Sequence, residues 1–295
     1  MKYTPTLLHE GYMFPETPRW NASRGAFYFV DIDRGEIHEM KPGQKPALWF
    51  KHDDFVSGFV FGKDGELILT SAYKRKLLGV RKDSAGRADV REIGDLSALA
   101  KYAINDMIRS ARGDCYIDSV AFDFMAYASD PTVARPSPLL RVSPDGATSV
   151  ATTEVNFPNG MAIAPDGKRL LVGDSLDQCI YAFELKADGS LGARSMFASL
   201  PGEMPDGISL DRDGGVWVAS HHHVIRVVEG GTVTDEVEMG PTRATACMLG
   251  GADGRTLLVT ASDSHDRRII RENPSGRIFE AKVAVPGAGL PSIYN

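Results

Sequence analysis

One hydrophobic pattern recurs six times along the chain. A polar residue opens an apolar run, a turn at glycine closes it, and a second apolar run returns, as in PNGMAIAPDGKRLLVGDS over residues 158–175. Such a phrase predicts a β-hairpin. Registered on the turn glycine, five copies open at Ser57, Asn105, Asn159, Asp206 and Ala246, each eight residues before Gly65, Gly113, Gly167, Gly214 and Gly254. The first opens at Glu16, nine before Gly25. Successive openings lie 41, 48, 54, 47 and 40 residues apart. A repeat of roughly 40 to 50 residues built from short strands predicts a propeller blade, and six copies predict an all-β, six-bladed β-propeller.

The innermost strand of each blade lines the central channel, so the six opening residues form a ring at one mouth: Glu16, Ser57, Asn105, Asn159, Asp206 and Ala246. Each second strand returns to that mouth. The residues that follow it are expected to crown the site: Asp31, Asp33, Ser71, Tyr73, Asp118, Asp123, Asp174, His221 to His223, Asp263 and His265. The N-terminal TLLHE predicts a strand that completes the last blade beside residues 276–285, leaving no open sheet edge. SALAKYA, residues 97–103, is the one helix-like stretch. Between residues 120 and 137 the third blade carries a long loop with Phe122, Phe124, Met125 and Tyr127. A loop of this length reads either as a binding lid or as a surface loop packed by its own aromatics.

Composition narrows the classes. The repeat runs almost end to end through 295 residues with no linker, which predicts a single domain over 1–295. A chain of that size buries enough surface to fold without a staple. The net charge of −6, with no basic stripe, argues against a nucleic-acid partner. No run approaches a membrane span and the first residues lack a secretory pattern, so a cytoplasmic protein without a membrane partner is expected. The three cysteines stand in separate repeats and read as small buried residues.

The ring brings two carboxylates and two carboxamides to one axis. Hard oxygen donors of this kind suit calcium, magnesium or manganese. Asn or Asp before Gly also stabilises ordinary turns, but four such residues in one register of a repeat favour a divalent-metal site at the mouth. Three adjacent histidines cannot all face one point on a regular strand; they read either as an exposed cluster or as a group with one member facing the substrate, His221 or His223.

The pieces FPETPRW, IND, FPNGMAIAPDGKRLLVGDS, MPDGISLDRDGGVWVAS and ACMLGG together resemble the senescence marker protein (regucalcin), gluconolactonase and luciferin-regenerating enzyme family of six-bladed propellers. The resemblance implies one divalent ion, usually calcium with zinc, manganese or magnesium as alternatives, held by Glu16, Asn159 and Asp206. Asn105 would be a further ligand or a substrate contact. It also implies hydrolysis of a lactone, with Asp206 as the base. The arginine that sugar lactonases of the family place two residues before Asn105 is Ala103 here, while Asp123 matches an acidic substrate contact. With Phe122 and Tyr127 nearby, the expectation is a small-molecule cyclic ester less polar than a typical sugar lactone. Two rival readings stand: a propeller hydrolase of phosphotriesters or aryl esters, and a non-enzymatic calcium-binding propeller.

Overall fold

Among the described residues the strands form six sheets in succession around an axis, the architecture of a six-bladed β-propeller. The coordinates are a computed structural model describing residues 1–127 and 130–289; the side chain of Met125 lies outside that description. The innermost strands are Pro15–Asn21, Val56–Phe61, Ala103–Arg109, Pro158–Ile163, Ile208–Leu210 and Arg243–Gly250. Each pairs antiparallel with the strand that follows it. All six turn glycines used to register the repeat have positive φ, from 57° at Gly25 to 105° at Gly113. A side chain there would strain the backbone, so the register marker is also the physical cause of the turn.

The inner strands of each blade are apolar without strict alternation because both of their faces are covered, whereas outer strands such as Ala88–Asp95 are polar and exposed. Six apolar clusters fill the wedges between neighbouring blades, from the Tyr28–Val56–Phe59 cluster between the first two to the Phe29–Met248–Ile278 cluster between last and first. Cys115, Cys179 and Cys247 are buried and unpaired.

Thr6–Tyr12 pairs antiparallel with Gly276–Lys282 in the last blade. Lys2–Tyr3 adds a parallel edge to the fifth blade, against Glu236 and Val237, which the sequence pattern did not foretell.

Of the one or two helical turns expected at SALAKYA one forms, and the longer helical stretches lie elsewhere. SALAKYA makes only one hydrogen-bonded turn, Ala100 N–H to Leu96 C=O, before Ala103 enters a strand. Helical residues occur instead at Phe124–Tyr127, inside the long loop, and at Arg267–Glu272 in the last blade. Asp266 caps the latter by accepting from the Arg268 N–H, a start signal hidden in a polar stretch. No helix among the described residues is long and apolar enough to cross a membrane.

Candidate active site

Five of the six ring positions sit where the pairing of the two inner strands slips; the pairing after Asp206 shows no slip. Register shifts fall between Glu16 and Arg19, Val56 and Phe59, Ile104 and Met107, Pro158 and Met161, and Ala244 and Ala246. A bulge bends the strand and re-aims the extra residue. At the first bulge Thr17 takes a φ of 46°, unusual for a β-branched residue, and is pinned by its hydroxyl donating 2.8 Å to the Ser57 carbonyl.

Close backbone approach links the bulges. A Cβ on Gly160 would lie 2.4 Å from the Asp206 carbonyl oxygen, and the Gly160 N–H donates to that oxygen. A Cβ on Gly207 would lie 2.2 Å from the Ala246 Cβ. Asn-Gly and Asp-Gly at these points are therefore not turns. The glycines let neighbouring inner strands touch, and the touching strands bring Asn159 and Asp206 together.

Glu16, Ser57, Asn105, Asn159 and Asp206 line one cavity of about 350 Å³ at this mouth. The Asn159 side chain lies close enough to the Asp206 carboxylate to favour its charged form. Removal from water raises the pKa of Asp206 to about 8, with the negative charge of Asp106 adding to the rise. Burial likewise pushes Glu16 well above the usual carboxylate range, reinforced by Asp206 and Asp106. Asp118 is raised by burial and then by Asp106; it accepts from Asn105 Nδ2 at 3.1 Å, while its Oδ1 is buried without a partner.

Four acidic side chains thus surround the floor, and among the described residues only Arg19 forms an ion pair with any of them, to Asp106 at 2.8 Å. The Arg19–Asp106 pair was not foreseen, although Asp106 directly follows a ring position. No group of three or more His, Cys, Asp or Glu side chains among the described residues is placed to hold a metal ion. Any such site must therefore draw on the carboxamides. The donor chemistry fits: Glu16 and Asp206 are short of positive charge, and Asn105, donating through nitrogen, keeps its side-chain oxygen for a cation.

Ser57 and Ala246 serve packing. The Ser57 hydroxyl contacts Thr70 Oγ1 and the Ile104 carbonyl, both at 3.1 Å, and Ala246 is buried against Gly207.

The expected crown divides. Tyr73, Asp33, His221 and His265 line the cavity. Asp31 and Asp174 turn inward, accepting from the backbone N–H groups of Met13 and Phe14 and of Asn156 and Phe157. They thereby brace the segments that deliver Phe14 and Phe157 to the cavity wall. Ser71 is bound to Asp54, and Asp263 pairs with Arg277.

Three expected substrate contacts stand back from the wall. His223 opens the third strand of its blade and lies between Glu203 and Glu236, at 2.8 and 3.2 Å, because only His221 in the preceding turn is aimed at the cavity. Phe122 is buried under Tyr127 and Phe157. Asp123 is exposed and accepts from the Tyr102 hydroxyl at 3.0 Å. Phe124 and Tyr127 do line the cavity, with Phe124 stacked on Phe157. On the opposite side the last blade supplies Arg243 and Arg267, neither anticipated from the repeat.

The sequence pattern described as the SMP-30/Gluconolactonase/LRE-like region matches residues 14–263. The chain belongs to that family. It is 27% identical to a 6-deoxy-6-sulfogluconolactonase of Pseudomonas putida over 94% of this chain and 93% of that protein. It is 26% identical to the regucalcin of Oryctolagus cuniculus over 94% of this chain and 92% of that one. Among solved structures, a calcium-binding regucalcin of Agrobacterium tumefaciens superposes with a TM-score of 0.80 at 20% identity, covering 97% of this chain and 96% of that one.

Proposed function

We propose that this chain is a divalent-cation-dependent hydrolase of a small cyclic ester, a lactonase. The observation that carries the reading is the convergence of Glu16, Asn159 and Asp206 on one cavity floor where acidic groups outnumber cations. Relatives named for lactonase activity support the reaction class. Glu16, Asn159 and Asp206 would hold the cation, with Asn105 as a fourth oxygen donor, and calcium suits this all-oxygen set.

A cation in that position supplies a Lewis acid for the charge that develops on the ester carbonyl oxygen. The chain's own residues do the rest. Asp206, steadied by the Asn159 amide, takes the proton of the attacking water and returns it to the ring oxygen as the C–O bond breaks. Phe14, Phe124, Tyr127 and Phe157 form an apolar wall that orients the ring and limits the water around it.

The test is hydrolysis of a panel of lactones, aryl esters and phosphotriesters before and after chelation. Lactone turnover lost on chelation and regained with calcium or manganese is the expected result. Turnover of phosphotriesters or aryl esters alone, turnover indifferent to chelation, or calcium binding with no turnover would overturn it.

A further inference from the structure

The cavity has two chemically opposite sides. Its floor, from the first, third, fourth and fifth blades, is acidic; its wall in the last blade presents Arg243 and Arg267 beside His265, with His221 next to them. Their surroundings separate the two arginines. Arg267 is engaged: its guanidinium lies 4.2 Å from the Phe55 ring centre, donates to the Tyr73 hydroxyl and faces Asp33 at 3.5 Å. Arg243 is exposed to the cavity, and its guanidinium makes no hydrogen bond or ion pair among the described residues.

The acids on this side are already matched. Asp33 faces Arg267 and Arg271, and Asp266 caps its helix and pairs with Arg268 at 2.6 Å. His265, held against Phe14 at 5.2 Å, is kept neutral by burial and then by the positive charge of Arg243, with its pKa lowered to about 4. A full positive charge with no partner among the described residues thus opens on the cavity that holds the proposed reaction centre.

We infer that the substrate carries an anionic group remote from its ester, a carboxylate or another oxyanion, and that Arg243 binds it with Arg267 as the second, prearranged guanidinium. Guanidinium suits such a group because its planar donors match an oxyanion in pairs. Ala103, on the opposite side, offers no charge of its own. The inference rests on the lactonase reading for the reacting bond but not for the binding of the anion.

The test compares galactono-1,4-lactone with galactaro-1,4-lactone, which share ring size and differ in a neutral hydroxymethyl against a carboxylate. The anionic lactone should show the lower KM, and added salt should raise that KM alone. Arg243→Met should raise the KM for the anionic lactone about tenfold or more beyond any change for the neutral one, with little change in kcat, and be partly rescued by Arg243→Lys. Equal KM values in the wild-type protein, or equal losses for both lactones in Arg243→Met, would overturn the inference while leaving the lactonase reading intact. Calorimetric titration of the same two lactones into Asp206→Asn separates binding from turnover. Arg243-dependent binding of the anionic lactone by that variant, in a protein that hydrolyses neither, would keep the inference and remove the lactonase reading.

Discussion

Asn159 and Ala246 open the same phrase in the same register of two blades, and the protein uses them in opposite ways. At Asn159 the bulge presents an amide to the cavity and to Asp206; at Ala246 a methyl group closes against Gly207. Ser57 belongs with Ala246, its hydroxyl spent on Thr70 and the Ile104 carbonyl. A shared backbone register therefore fixes where a ring residue stands, while the neighbouring strand decides whether it faces the cavity or the next blade. The last blade, silent in the acidic ring, contributes the arginines and His265 instead.

The comparison breaks hardest at Asp206. Asp206→Asn should lower kcat by about 10²- to 10⁴-fold, the range of a lost general base, while the circular dichroism of the fold is retained. Gly160→Ala drives a Cβ toward the Asp206 carbonyl oxygen at 2.4 Å, so it should destabilise by about 1–3 kcal/mol in urea and lower activity as well. Ser57→Ala, at a packing position of the same ring, should cost about 0.5–1.5 kcal/mol in the same measurement with kcat unchanged. A large loss of kcat in Ser57→Ala would erase the distinction between the two kinds of ring residue.

The remaining effect is in pH. Asp206 keeps its proton in the fold up to about pH 8 against an ordinary value of 3.8. Across that window the folded state binds a proton that the unfolded chain has released, so the stability of chelated protein should decline as pH rises from about 4 to 8. Calcium should flatten the decline; thermal melting with and without the ion measures both.

Much of the fold was legible because its signals are local. The turn glycines at 25, 65, 113, 167, 214 and 254 require left-handed backbone, and their spacing marks the blades. The ring followed from that register. What stayed hidden depends on contacts between blades. Gly160 and Gly207 read as turn residues until the neighbouring strand is seen pressed against them. Arg19 and Asp106 lie far apart in sequence and meet only across the bulges of the first and third blades. His221 and His223 differ by two positions, and the hairpin between them sends one to the cavity and the other to Glu203. The Arg267–Glu272 helix interrupts an otherwise regular blade, so the repeat carried no trace of Arg267 facing the site.

The reaction proposed for this cavity requires that Glu16, Asn159 and Asp206 clasp one divalent cation. Calorimetric titration of calcium into chelated, dialysed protein measures it without any substrate. One ion should bind per chain in the wild-type protein, and binding should weaken at least tenfold in Asp206→Asn; no binding in the wild type, or the same affinity in both proteins, would show that these residues hold no such ion.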